Sequence, residues 1–394
     1  MMNRPPVVII GSGLAGYTVA REFRKLDGET PLVMLSSDHG GFYSKPMLSN
    51  AFAQKKDADA LLGKSAAQMA EELKLEIRSH TMVTAIDVTR KQVVVNGEML
   101  PYSKLVLAMG AAPIRLPLHG NGADAVLSVN DHGDYRRFRE AIEGKKNIAI
   151  LGAGLIGCEF ANDLAGAGYN VHVIDLATQP LGRLLPPASA AFIQRKLEAA
   201  GIGFHLGTTT RQVERAGEGF RLTLDNRVTI AADVVLSAVG LRPRNALAEA
   251  AGIKVNRGIV VNASLQTSDE HVYALGDCAE VEGRVLPFVM PIMQAARALA
   301  STLAGNATPV RYPAMPVVVK TPVCPAVVSP PDMGAQGEWQ VEEVNDGVRA
   351  LFRGADGKLL GFALLGAVTA EKNALAAQLP PVMELFHSSL KTMI

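Results

Sequence analysis

The chain of 394 residues has room for two or three domains, and its 48% hydrophobic content with 37 glycines fits a well-buried α/β protein rich in tight turns. Its 39 basic and 38 acidic side chains nearly cancel, so no bulk field draws in nucleic acid or a membrane surface, and a charged partner must meet a local patch. No apolar run approaches the length of a membrane span and the first strand begins almost at once, so neither membrane insertion nor a signal peptide is expected and the expected location is cytoplasmic.

Val7, Val8, Ile9 and Ile10 run straight into Gly11-Ser12-Gly13-Leu14-Ala15-Gly16, and a helix-competent segment, residues 17–23, follows. Glycines at this spacing, between a buried strand and a helix start, form a cradle for a pyrophosphate. Gly11 permits the turn, Gly13 lets the backbone approach the phosphates, and Gly16 lets helix and strand pack closely. The next apolar run, residues 31–35, leads to Ser37 and Asp38, whose carboxylate is placed to accept a ribose hydroxyl. A single fingerprint of this kind also arises for packing alone.

Residues 40–49 are turn-rich, and Lys45, preceding Pro46, is expected in extended conformation. Residues 65–73 read as a helix with Ser65 as N-cap, and residues 81–88 and 91–95 as a hairpin. Residues 104–110 form a buried strand whose end carries the small residues Ala108 and Gly110, suited either to stop a strand or to meet a cofactor.

The chain then repeats itself. Residues 147–151 are a second apolar strand, followed by Gly152-Ala153-Gly154-Leu155-Ile156-Gly157, a helical segment over 158–164, and a strand over 171–174 that ends at Asp175. Two complete strand, glycine loop, helix, strand and acid units about 140 residues apart imply two dinucleotide sites. Asp175 would accept hydrogen bonds from both ribose hydroxyls of NADH and repel the 2′-phosphate of NADPH, unless Arg183 in the following loop neutralises it.

A helix over 190–200, a meander over 203–230 and a strand over 233–239 stopping at Gly240 come next. A short strand over 271–275 breaks at Gly276-Asp277, and a helix over 291–300 can aim its N-terminal dipole at a bound group. Past Pro313 the pattern suggests a small α/β domain closing with a helix near 382–390. Cys158, Cys278 and Cys324 form no closely spaced pair, which reads as three structural thiols and no metal site.

Taken together, the chain resembles the flavoprotein reductases of the glutathione-reductase fold over nearly its whole length. That resemblance implies two Rossmann-like dinucleotide-binding domains plus a small C-terminal α/β domain. Residues 1–112 and 240–312 would hold FAD, residues 113–239 the nicotinamide cofactor, and residues 313–394 the C-terminal domain. Within the family, Tyr43-Ser44-Lys45-Pro46-Met47-Leu48-Ser49 and Pro316-Val317-Val318-Val319-Lys320-Thr321-Pro322 resemble the rubredoxin and flavorubredoxin reductases.

The resemblance assigns Ser12 to Ala15, Ser37 and Asp38 to the ADP half of FAD and Val83 to the adenine, with Ala108, Gly110, Gly240 and Gly276 among the cofactor contacts. Lys45, Asp277, Val289 and Lys320 would surround the flavin end. Gly152, Gly154, Leu155, Ile156, Gly157 and Asp175 would hold NADH, and Glu159 would reach both rings. The related ferredoxin reductases usually carry Arg at the position of Lys45 and Lys at that of Asn50, so the lysine partner of Glu159, if it has one, is Lys45 or Lys320.

Disulfide reductases of this fold carry a cysteine pair soon after the first ribose acid, and the peroxidase and oxidase branch carries one. Residues 39–60 contain none, so electrons would leave the flavin singly, toward a protein redox centre. The resemblance implies rubredoxin as acceptor, feeding an oxygenase such as alkane hydroxylase, from a monomer. A two-iron two-sulfur ferredoxin, a flavorubredoxin or a quinone are the competing acceptors, and an NADH-responsive signalling flavoprotein is the non-enzymatic reading.

Overall fold

The computed structural model describes residues 5–383. Two five-stranded parallel sheets dominate. The first runs in the order Val272–Ala274, Lys104–Leu107, Val7–Ile10, Leu32–Leu35, Glu76–Arg78. The second runs Leu127–Ser128, Val234–Ser237, Asn147–Leu151, Asn170–Asp175, Ile202–Leu206. Each glycine fingerprint follows the central strand of its sheet. From Val7–Ile10 the chain leaves to one side for Leu32–Leu35, while Lys104–Leu107 pairs on the other side, and Asn147–Leu151 stands in the same relation to Asn170–Asp175 and Val234–Ser237. Such reversals of strand order open a crevice at the carboxyl ends of the strands, and both fingerprints sit at one.

All four residues of Val7–Ile10 are buried, as a parallel strand covered on both faces requires. The helix Leu14–Leu26 buries Tyr17, Val19, Ala20 and Phe23 against this sheet and packs on Val289–Leu303. The expected helix at 65–73 is present as Ala66–Leu73, closed by a reciprocal cap in which Ser65 and Gln68 exchange side-chain and backbone hydrogen bonds. The hairpin Val83–Asp87 with Gln92–Val95 also forms, extended by a third strand, Glu98–Pro101.

Two expectations need correction. Residues 202–206 are not part of a meander but the edge strand of the second parallel sheet, paired with Asn170–Asp175. Only Ile202 in that strand is fully buried, so its pattern is that of a half-covered strand and local sequence does not distinguish the two. The antiparallel meander begins later, as Thr210–Ala216, Gly219–Leu224 and Thr229–Ala232. Lys45 does not extend the chain but opens the 3-10 helix Lys45–Asn50, with Pro46 in the first turn, where no backbone donor is needed.

Beyond residue 313 lies a five-stranded antiparallel sheet, ordered Val317–Val319, Ala326–Ser329, Leu359–Gly366, Gly347–Arg353, Glu338–Val344, with a short helix Lys372–Ala376. Val319, Ala326, Val348 and Leu365 join one apolar cluster with Ile148, Phe160, Ile193 and Leu197 of the second parallel sheet and its helices. That packing brings the loop after Val319 to the second fingerprint. The helix expected near 382–390 lies outside the described residues from position 384 onward.

The glycines of each fingerprint divide their work. A Cβ on Gly16 would strike the Gly11 carbonyl oxygen, and one on Gly157 that of Gly152, whereas Gly13 and Gly154 face open space. Gly157→Ala is therefore expected to lower unfolding stability by about 1–3 kcal/mol. Gly154→Ala, at a φ of −76° that any residue adopts, should leave stability nearly unchanged while weakening ligand binding. Thermal denaturation and nucleotide titration of the two variants check this contrast.

Candidate functional site

One continuous cavity of about 2250 Å³ reaches both fingerprints, more than twice the roughly 1,000 Å³ upper range of ordinary small-molecule sites. On the first-sheet side Gly11, Ser12, Gly13, Leu14, Ala15, Ser37, Asp38, Val83, Ala108 and Gly110 line it. On the second-sheet side Gly152, Gly154, Leu155, Ile156, Asp175 and Gly240 do so, and Lys45, Glu159, Asp277, Val289 and Lys320 line the stretch between. Three expected residues, Gly16, Gly157 and Gly276, are absent from the wall. They act behind it, since a Cβ on Gly276 would press within 2.9 Å of the Ala15 side chain.

Three helices begin at the cavity without a side-chain cap: Leu14–Leu26 after Gly13, Leu155–Gly166 after Gly154, and Val289–Leu303 after Phe288. Helix starts of this kind present backbone donors and the positive end of the dipole to an anion. Together with the empty space over Gly13 and Gly154, this donor set fits two pyrophosphates.

The acids at the strand ends are held by their own loops. Burial pushes the Asp38 carboxyl up, but hydrogen bonds donated by the Ser36 hydroxyl (2.6 Å), the Gly40 N–H (2.8 Å) and Ser12 (3.3 Å) outweigh it and hold it below the usual range. Asp175 accepts from the Ala153 N–H at 2.5 Å and the Ala177 N–H at 2.8 Å, one on each oxygen. A carboxylate has about four acceptor positions, so Asp175 keeps capacity toward the cavity. Arg183, the competing cation, lines the same cavity.

At the junction the partner of Glu159 is Lys320, not Lys45. The Glu159 carboxylate is fully buried and pairs with the Lys320 ammonium, and it also accepts the Lys320 backbone N–H at 2.9 Å and the Ser49 hydroxyl at 2.5 Å. Lys45 lies instead with Asn130 Oδ1 at 2.8 Å and Asp277 Oδ2 at 3.8 Å. Burial lowers the basicity of its ammonium and Asp277 acts against that shift.

Sequence reasoning missed the residues that hold these loops. Asn162 accepts the Val323 N–H at 3.2 Å, and Asp163 accepts those of Phe52 and Ala53 at 3.0 and 2.8 Å. Glu159, Asn162 and Asp163 stand at i, i+3 and i+4 in an otherwise apolar helix, a spacing that places them on one face. That spacing was the available signal. Asn130 carried none, because it acts on a residue 85 positions away.

The three cysteines are free and buried. Burial pushes the Cys158 thiol up to about 12 and those of Cys278 and Cys324 to about 11, so none offers a thiolate at neutral pH. Among the described residues no group of His, Cys, Asp and Glu could hold a metal ion, and no helix is long and apolar enough to cross a membrane.

Residues 5–301 match the pyridine nucleotide-disulphide oxidoreductase family. The chain belongs to that family. Residues 309–379 match a rubredoxin binding C-terminal domain. The chain is 50% identical to a rubredoxin-NAD(+) reductase of Alcanivorax borkumensis over 96% of its own length and 99% of the relative. It is 49% identical to the protein of that name from Acinetobacter baylyi, over 95% and 98%. Among solved structures, the covalent putidaredoxin reductase–putidaredoxin complex superimposes with a TM-score of 0.86 at 25% identity, covering 95% of this chain and 94% of the other.

Lys320→Met would leave the buried Glu159 carboxylate with hydrogen bonds but no counter-charge. Urea unfolding should show a loss of about 3–5 kcal/mol, and adding Glu159→Gln should recover most of it. Equal losses in the single and double variants would contradict this account of the pair.

Proposed function

We propose that this chain passes electrons from NADH, through bound FAD, to rubredoxin. The observation that carries the reading is the single cavity lined by both glycine fingerprints and by Lys45 and Lys320, with every cysteine buried. When bound, FAD supplies the chemistry, accepting two electrons as hydride and releasing them singly.

The protein's own part is binding, orientation and charge. The first fingerprint with Asp38 holds the ADP half of FAD, with Ser12 and Ser36 keeping the Asp38 carboxylate in place. The second fingerprint holds NADH, and the free acceptor positions of Asp175 take the ribose hydroxyls while its charge repels a 2′-phosphate. Glu159 fixes Lys320 at the junction, and Lys45 supplies a second cation. Charges preorganised where negative charge develops stabilise it without reorganisation. Within the described residues, 5–112 with 240–312 form the flavin unit, 113–239 the nicotinamide unit and 313–383 the acceptor unit.

The rubredoxin acceptor is favoured over a ferredoxin by the match of residues 309–379, which include Lys320. The chain works in the cytoplasm. Delivery of the electrons onward to an oxygenase such as alkane hydroxylase is the pathway this reading suggests.

Anaerobic NADH oxidation by the purified holoprotein, with rubredoxin and separately with a two-iron two-sulfur ferredoxin, tests the proposal. Rapid turnover with rubredoxin alone is expected, and its rate should fall as salt screens docking of an acidic partner. Flavin reduction by NADH with no transfer to rubredoxin would overturn the acceptor assignment.

A further inference from the structure

Lys45 lies between two oxygens of unlike charge. Its ammonium donates to the neutral Oδ1 of Asn130 at 2.8 Å, while the Asp277 carboxylate is farther off at 3.8 Å. Asn130 is 6% exposed, in the turn between Leu127–Ser128 and His132–Ala141, far in sequence from both. Its Nδ2 donates to the Ala111 carbonyl at 3.0 Å, which settles the amide orientation and leaves Oδ1 facing the lysine. Its backbone N–H is tied to Asp134 Oδ2 at 3.0 Å. Asn130, Lys45 and Asp277 all line the cavity between the two fingerprints.

We infer that Asn130 is a positioning residue that holds the Lys45 ammonium on a neutral acceptor and keeps its ion pair with Asp277 at the longer 3.8 Å separation, so that more of the lysine's field reaches the cofactor. The inference rests on the reading that Lys45 faces the flavin end of bound FAD. A lysine bonded to an amide oxygen keeps its net positive charge, whereas one closed onto a carboxylate forms a pair whose field falls off much faster. The lysine stem is flexible enough to make that choice. Without the Asn130 amide, the Asp277 carboxylate, already paired with the ammonium at 3.8 Å, is free to draw it closer. An aspartate at position 130 would cancel the charge in place.

The two-electron midpoint potential of protein-bound FAD, measured anaerobically at pH 7, reads this directly. The wild type is compared with Asn130→Ala, Asn130→Asp, Lys45→Met and the double variant Lys45→Met/Asn130→Ala. Lys45→Met is expected to weaken the preference for reduced over oxidised FAD about tenfold, a fall of about 30 mV for a two-electron couple. Asn130→Asp should fall by a similar amount, and Asn130→Ala should shift in the same direction by less. The double variant should match Lys45→Met alone, since Asn130 acts only through the lysine.

Wild-type potentials in both Asn130 variants, with Lys45→Met shifted, would overturn the inference and leave the placement of Lys45 intact. An additive double variant would also overturn it, because a general structural role of Asn130 does not depend on Lys45. No shift in Lys45→Met would overturn the inference together with the placement of Lys45 beside the flavin.

Discussion

The buried carboxylate of Glu159 is the interaction on which the arrangement depends. It lies one turn into the helix that starts at the second glycine fingerprint, fully out of water, and among the described residues it is satisfied by groups from elsewhere in the chain: the Ser49 hydroxyl, and the backbone N–H and ammonium of Lys320. A buried charge without partners is prohibitively unfavourable. Satisfying that charge therefore favours closure of both the loop after the first ribose acid and the loop from the C-terminal sheet onto this helix. The same requirement that stabilises the carboxylate brings Lys320 to the boundary between the two dinucleotide regions.

Asn162 and Asp163 extend that constraint along the same helix face, each accepting backbone N–H groups from one of the two loops. The helix thus ties the 45–53 segment and the C-terminal sheet to the second parallel sheet through polar contacts, while an apolar cluster running from Leu48 to Leu365 packs the same elements together. Division of labour of this kind suits a protein whose cavity must be wide enough for two dinucleotides and still fix cations within it. Non-directional burial holds the sheets together, and directional hydrogen bonds fix where Lys320 and the 45–53 segment come to rest.

Much of this was legible in the chain itself, for identifiable reasons. The strand, glycine loop, helix and acid order is local, so Gly11 to Asp38 and Gly152 to Asp175 could be read as two nucleotide cradles before any contact was known. Glycine identity was informative because the close approach of Gly16 to the Gly11 carbonyl and of Gly157 to that of Gly152 excludes any side chain. The edge strand Ile202–Leu206 and the 3-10 turn at Lys45 were not legible, since half-covered strands look alike in any sheet and a proline's neighbour can open a tight helix.

The amino-acid sequence by itself showed the strand before each fingerprint, the position of each fingerprint, the lack of a cysteine in residues 39–60 and the existence of a distinct C-terminal segment. These follow from periodicity and residue type within short windows, where backbone sterics and burial act on neighbours. Tertiary structure alone decided that Glu159 takes Lys320, that Lys45 goes to Asn130 and Asp277, and that Gly276 serves packing. Those pairings join residues about 85 to 232 positions apart, and nothing in local sequence orders charged groups that meet only after the sheets have packed. Electrostatic selectivity is set by distance and burial in space, which the linear order of the chain does not carry.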